Sequence, residues 1–227
     1  MWSKVLRTRE EPVAHAALEQ LCAIYWAPVV GYIRALGCGF DEAEDIAQEF
    51  FATFLRRDGF QRADQERGSL RSYLKTAIRH EVMHWRRQRT AQRRGGGTET
   101  IPLDADDGSG WAANDLPAVH YDEQWALTVL ERALGTMREN YAKRGKAELF
   151  ERLKPTLMQP APEESRTMST ELGIVRGSLA VEQHRARRRL ADLLRAEVAQ
   201  TVEDPADAEA ELRHLLRVLA QTDLSGS

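Results

Sequence analysis

Disulfide frameworks, membrane spans and strand-like alternation are all missing from this sequence. Its 227 residues hold two cysteines, Cys22 and Cys38, too few for a disulfide scaffold, so a reducing cytoplasm is the expected compartment. No apolar run approaches the roughly 18 residues that a membrane helix needs, and the nearest, Cys22–Ile33, contains Pro28. Met1–Glu11 mixes charges and has no apolar signal core, so neither export nor membrane insertion is expected. An excess of positive charge is absent too. Lys and Arg number 32 against 35 Asp and Glu, a formal net charge of −3. That excludes a uniformly basic coat protein and leaves room for a local basic face. What is plentiful is helical periodicity, within 42% hydrophobic and 30% charged residues. The expectation is an all-α protein with two small helical domains.

Leu18, Leu21, Tyr25, Val29, Tyr32 and Leu36 form one helical stripe ended by Gly37 and Gly39, and Pro28 inside it predicts a kink or a restart. Asp41 with Glu44 three residues later predicts a capping box, followed by a buried face of Ala43, Ile46, Ala47, Phe50 and Phe54. A loop bracketed by Asp58-Gly59 and Arg67-Gly68-Ser69 leads to a third helix with Leu70, Leu74, Ala77, Ile78, Val82 and Trp85 inward. Residues 10–94 thus read as one three-helix domain. Gly95-Gly96-Gly97 opens a stretch without Lys or Arg until Arg132, and residues 95–122 read as an acidic flexible linker. Helical pattern resumes at Trp125–Met137 and Ala147–Leu153. Residues 163–172 and 176–199 read as two helices around Gly173-Ile174-Val175, the outline of a helix-turn-helix in a second domain over 123–199. Asp204-Pro205 predicts an N-cap and first turn. The C-terminal extension, 200–227, then forms a last helix with Ala208, Leu212, Leu215 and Leu219 on its apolar face.

Charge is segregated by helix. The second helix carries Asp41, Glu42, Glu44, Asp45 and Glu49 with no base. Such a face is either solvated, with acids favourably near a helix N-terminus, or a docking surface for a basic partner. From Arg79 to Arg94, six arginines against Glu81 leave a local charge of +5. Lys75, Arg79 and Arg86 share a helical side, with His80, His84 and Arg87 adjacent and Tyr73 and Trp85 as aromatic neighbours. Guanidinium groups that hold phosphates and rings that stack on bases suit single-stranded DNA. His80-Glu81-Val82-Met83-His84 also fits the zinc-protease pattern H-E-x-x-H, although Arg87 and Thr90 stand where its longer form has Gly and His. In the last helix of the helix-turn-helix, six arginines between Arg176 and Arg195 outnumber Glu182 and Asp192, a local +4. Its buried stripe is Leu179, Ala186, Leu190 and Leu193, with Gln183 at an apolar position. Cys22 and Cys38 read as core thiols, and His15, His120 and His214 lack metal-ligand spacing.

Three strings carry a family resemblance: Asp41-Glu42-Ala43-Glu44-Asp45-Ile46-Ala47-Gln48-Glu49-Phe50-Phe51, Gly68-Ser69-Leu70-Arg71-Ser72-Tyr73-Leu74, and Trp85-Arg86-Arg87. With the helix-turn-helix that follows, the chain resembles a bacterial RNA polymerase sigma factor of the extracytoplasmic-function group, in the sigma-70 family. The resemblance implies that 10–94 is sigma domain two and that its acidic helix binds the β′ clamp of core polymerase through Asp41, Glu42, Glu44, Asp45, Gln48 and Glu49. It implies that Tyr73, Lys75, Arg79, His80, Trp85, Arg86 and Arg87 take the melted minus-ten strand. It also implies that 123–199 is sigma domain four, which contacts the β flap and reads the minus-thirty-five element through Arg176, Ser178, Glu182, Arg185, Arg187 and Arg188. The second domain departs from the family pattern. Val175 stands at a usual Ser or Thr cap, Thr167-Met168-Ser169 replaces an acidic-aliphatic-Ala triplet, and Gln183 replaces an apolar residue.

The expected function is therefore an alternative sigma factor, not an enzyme, directing promoter recognition, melting and initiation. No cofactor and no metal are expected. Core polymerase and promoter DNA are the partners, and an anti-sigma factor or other regulator is a further partner the resemblance allows. A stand-alone helix-turn-helix regulator and an H-E-x-x-H zinc protease are the rival readings. The acidic linker reads either as a nucleic-acid mimic or as a solubilising tether. The acidic tail is expected either to fold back on the second domain, whose basic helix lies immediately upstream, or to pack elsewhere.

Overall fold

Apolar residues at every third or fourth position, in segment after segment, yield helices that bury one face each. The computed structural model describes residues 11–56, 69–93, 116–158, 162–171, 175–202 and 204–225. Among them run α1 (Glu11–Ala35), α2 (Phe40–Arg56), α3 (Leu70–Arg93), α4 (Leu116–Ala142), α5 (Ala147–Leu153), α6 (Pro162–Glu171), α7 (Arg176–Ala199) and α8 (Ala208–Ser225). Short 3-10 turns lie at Lys154–Thr156 and Pro205–Asp207. No β-strand forms among the described residues, where the isolated bridge between Ser69 and Val202 is the β-type pairing. The all-α expectation therefore holds. None of these helices is long and apolar enough to cross a membrane. The expected loop at 58–68, most of the acidic linker and the turn at Gly173-Ile174 lie outside the described residues.

Two units share the chain, Met1–Thr128 with Gln200–Ser227, and Val129–Ala199. The cut between Ala199 and Gln200 falls where it was expected, whereas the second unit starts at Val129 rather than at 123. The expected linker already turns helical at Leu116, and Tyr121 and Asp122, assigned to it, are buried in the first unit. Of the two expected destinations of the C-terminal tail, folding back on the second domain or packing elsewhere, the second holds: the tail belongs to the first unit. The physical reason lies in the aromatics of α4. Trp125 stacks on Tyr25 with ring centroids 3.8 Å apart, and Tyr121 lies 4.8 Å from the ring of Tyr32. Aromatic pairs of this kind add about 0.5–1.5 kcal/mol beyond their buried area.

In the first unit, α1, α2 and α3 pack pairwise. The buried faces include Leu21, Tyr25, Val29 and Tyr32 on α1, Ala43, Ile46, Ala47, Phe50 and Phe54 on α2, and Leu70, Leu74, Ile78 and Val82 on α3, as the periodicity assigns. Leu36, Ala77 and Trp85, at the margins of these stripes, are only half-buried. Pro28 neither restarts nor ends α1, which runs through it unbroken. A mid-helix proline costs about 3 kcal/mol, and here Pro28 is itself buried beside the wholly buried Val29, so core packing offsets the lost hydrogen bond. The helix ends where glycine was expected to end it. Gly37 adopts φ 93°, its N–H bonds to Arg34 O and the N–H of Cys38 to Ile33 O, the paired bonds of a Schellman stop. The capping box forms two residues earlier than expected. Gly39 is the cap, its carbonyl accepting from Ala43 N, and Glu42, not Glu44, reaches back to the Gly39 N–H at 3.2 Å.

The tail closes the first unit. Leu70 N donates to Thr201 O at 2.8 Å, and Asp204 caps the next turn by accepting from Ala206 N at 2.8 Å, with Pro205 at its first position. Leu212 and Leu215 of α8 are buried as the periodicity requires. Between α3, α4 and α8 sits an ion cluster. Arg71, only 5% exposed, donates to Glu211 at 2.7 and 3.1 Å and to Asp122 at 2.6 Å. Lys75 Nζ lies 3.1 Å from both Asp122 oxygens, and Tyr121 donates its hydroxyl proton to Arg71 O at 3.3 Å.

In the second unit, Val129, Ala133 and Met137 of α4, Phe150 and Leu153 of α5, Met168 of α6, and Leu179, Ala186, Leu190, Leu194 and Val198 of α7 are buried. α6 packs against α7. Thr156 pins the 3-10 turn to α7. Its carbonyl accepts from Arg187 Nε and Nη2 at 3.2 and 2.9 Å, and Gln183 Nε2 lies 3.5 Å from its hydroxyl. Arg132 pairs with Glu197 at 2.8 Å.

Asp122→Ala should strip Arg71 and Lys75 of their shared partner. Losing one member of a buried ion cluster costs about 3–5 kcal/mol, readable as a lower urea midpoint with an unchanged slope. A second test concerns pH. His214 of α8 lies 3.5 Å from Asp122 Oδ2 and also faces Arg71, Lys75 and Glu211. Burial first, then the Arg71 charge, hold its imidazole below the ordinary histidine range. Folding thus favours the neutral ring. Its contribution is fully present above the ordinary pKa of about 6.5 and is lost as pH falls towards the lowered native value. Melting temperature should drop between about pH 7 and pH 5, and His214→Gln should flatten that drop.

Candidate polymerase and nucleic-acid interfaces

Because one side of α2 is buried, its acids gather on the other. Asp41, Asp45, Gln48 and Glu49 are exposed and share a helical side, with Glu44 half-buried at its edge. Glu42 leaves that group. Besides capping Gly39, its carboxylate pairs with Arg89 of α3. The sequence-named acidic face thus stands as one surface with five of its six residues.

The arginines of α3 do not form one surface. Lys75, Arg79 and Arg86 do share a side, as their spacing requires, but Lys75 and Arg79 are half-buried against the unit's own packing and only Arg86 is exposed. Lys75 is held by Asp122. Arg79 sets its guanidinium 5.9 Å from the Tyr32 ring centre, with Nε and Nη2 shielded from solvent. Arg86 Nη2 donates to the carbonyl of Leu36, reinforcing the end of α1. Trp85 is half-buried beneath Arg89, whose guanidinium lies 5.0 Å from the ring. Tyr73 is half-buried, 6.1 Å from the Phe54 ring.

What α3 shows to solvent is a narrower strip. Ser72, Thr76, His80, His84 and Arg87 are exposed, flanked by the half-buried Tyr73 and Met83, and towards the end of the helix Arg86, Gln88 and Thr90 are exposed as well. His84 Nε2 lies 3.3 Å from Gln88 Nε2. Among the described residues no group of three His, Cys, Asp or Glu side chains is placed to hold a metal ion, so the H-E-x-x-H string lacks a third protein ligand there. Burial pushes the Cys22 thiol up to about 11 and raises that of Cys38 as well, consistent with core thiols.

In the second unit, α7 presents Ser178, Val181, His184, Arg185, Arg188, Arg189 and Arg195 to solvent. Arg187 is committed to Thr156, and Glu182 is half-buried with a carboxylate oxygen 3.8 Å from Lys146. The side chain of Arg176 lies outside the described residues. Val175 is 76% exposed, and its carbonyl accepts from Leu179 N, so α7 starts on a residue with no side-chain cap to offer. Arg71 was missed as a site of interest. Its signal was an arginine flanked by Leu70 and Leu74 on the buried side of an amphipathic helix.

Residues 25–92 match the family model of Sigma-70 region 2. The match starts in α1, takes in the acidic face of α2 and ends one residue before the end of α3. No curated protein and no solved structure matches the chain. The three helices and the faces they display thus coincide with a known module, and residues 25–92 of this chain are a Sigma-70 region 2 domain.

Proposed function

We propose that this chain is an RNA polymerase sigma factor of the extracytoplasmic-function group, a non-catalytic subunit that brings core polymerase to promoters and helps open them in the cytoplasm. The observation that carries this reading is the Sigma-70 region 2 match over 25–92 on the helices that bear the acidic face and the polar strip. Asp41, Glu44, Asp45, Gln48 and Glu49 offer the β′ clamp a continuous acidic surface. Tyr73, Thr76, His80, His84 and Arg87 offer the melted minus-ten strand hydrogen-bonding groups, stacking rings and a cation. Lys75 and Arg79 hold the frame in this reading, because both are engaged within the unit, and the exposed Arg86 bonds the Leu36 carbonyl from the surface.

For the second unit, residues 129–199, we propose sigma domain four, with α6 and α7 as its helix-turn-helix and the β flap as its polymerase contact. Ser178, Arg185 and Arg188, joined by Arg189, are the exposed groups for minus-thirty-five duplex, whereas Arg187 serves the turn at Thr156. An anti-sigma factor or another regulator fits the same reading as a further partner.

Asp45→Arg with Glu49→Arg should abolish co-purification with core polymerase and leave the melting temperature unchanged, since both side chains are exposed. Like-charge juxtaposition at an interface costs several kcal/mol, and retained co-purification would remove the docking assignment. On a target promoter, Arg87→Ala and His80→Ala should lower permanganate reactivity of the melted strand at unchanged stability. Arg79→Ala should instead lower the melting temperature, and the reverse pattern would overturn the assignment of these faces.

A further inference from the structure

The Arg71–Lys75 pair borders the polar strip of α3. Ser72 and Thr76 lie next to it in sequence and are exposed. The carboxylate of Glu211 meets Arg71 through two parallel bonds, from Nε at 2.7 Å and from Nη2 at 3.1 Å. That fork is the geometry in which a guanidinium also takes a phosphate. Two cations and two carboxylates balance in the cluster of Arg71, Lys75, Asp122 and Glu211. If Glu211 leaves, one positive charge remains uncompensated, and an anion is required in its place.

The two carboxylates are not equally free to leave. Asp122 sits between Tyr121 and Trp125 on one helix, and both rings are wholly buried against α1. Glu211 comes from α8, the last described helix, of 18 residues, anchored in the core by Leu212 and Leu215 while Arg213, Leu216 and Arg217 are exposed. A helix of this length is marginal by itself in water, so undocking it is a local opening that leaves the three-helix core in place. The stretch from Glu203 into the first turn of α8, up to Glu211, contains five acids and no base, so the tail is polyanionic around the residue that pairs with Arg71.

From these observations, and resting on the proposed DNA-binding role of α3, we infer that α8 is an intramolecular competitor of single-stranded DNA. In the free chain Glu211 occupies the Arg71 fork. When a single strand engages the polar strip of α3, α8 lifts, Asp122 stays, and a backbone phosphate takes the vacated edge of Arg71. The tail thereby masks a phosphate site in the absence of DNA and releases it in its presence.

The test uses the full chain and a mixed-sequence single-stranded DNA oligonucleotide. Hydrogen exchange of residues 208–225 should accelerate when the oligonucleotide is added, and truncation after Val202 should tighten oligonucleotide binding by about tenfold, the scale of recovered phosphate contacts. Binding by the full chain with unchanged protection of 208–225 would overturn the competitor role and leave the DNA-binding reading standing. Equal or weaker binding by a truncated chain that remains folded would also overturn it. A truncated chain that fails to fold leaves the exchange measurement on the intact chain to decide. If neither chain binds, both the competitor role and the binding of isolated strands by α3 fall. Co-purification with core polymerase, measured alongside, shows whether the α2 docking reading survives.

Discussion

A guanidinium group withdrawn from water must find carboxylates that come with it, and Arg71 finds two, from residues 51 and 140 positions further along the chain. Breaking such a buried pair costs far more than the pair contributes over an apolar replacement, so its value lies in what it forbids. In the free chain, no arrangement that leaves α4 or α8 undocked satisfies Arg71 fully. The first unit therefore consists of the three helices of the Sigma-70 region 2 domain, the opening turns of α4 and the tail, although 129–199 intervene in the sequence.

The same constraint sorts the basic residues of α3. A helix with this much arginine has more cations than one outward strip can carry. The cations next to the buried face meet acids or aromatic rings already in the unit: Arg71 and Lys75 with carboxylates, Arg79 with Tyr32, Arg89 with Glu42 and Trp85. Arg86 takes a backbone carbonyl. Arg87 is left to solvent on the strip with His80 and His84. Local charge counts a helix correctly and says nothing of where each cation points.

That distinction marks what the sequence makes legible. The helices and their buried faces follow from apolar spacing, and Leu70, Leu74, Ile78 and Val82 needed no further information. The acidic face of α2 was equally plain, because five acids cannot share a helix with that much apolar surface and point inward. Boundaries and partners were harder. The start of α4 was hidden by acidic composition, while the informative residues were Tyr121 and Trp125, whose ring partners in α1 are Tyr32 and Tyr25, far earlier in the chain. The tail's destination turned on one glutamate meeting one arginine across 140 residues, and nearest-neighbour reasoning along the chain left two destinations open.

The departures in the second unit have a local cause of the same kind. Gln183 stands at an apolar position, yet it is buried, with its amide near the hydroxyl of Thr156, which is itself buried and donates to Leu153 O. Arg187, one turn further, binds the carbonyl of that same threonine. Positions 183 and 187 lie on one side of a helix, so both groups grip one residue and fix the rotation of α7 against the 3-10 turn. An apolar residue at 183 would bury more surface but would leave the Thr156 hydroxyl without that neighbour. With this side of α7 anchored by polar contacts, Arg185 and Arg188 are turned to solvent. The exchange of an apolar position for Gln183 thus keeps the arginine face oriented while placing part of its positioning on a single buried threonine.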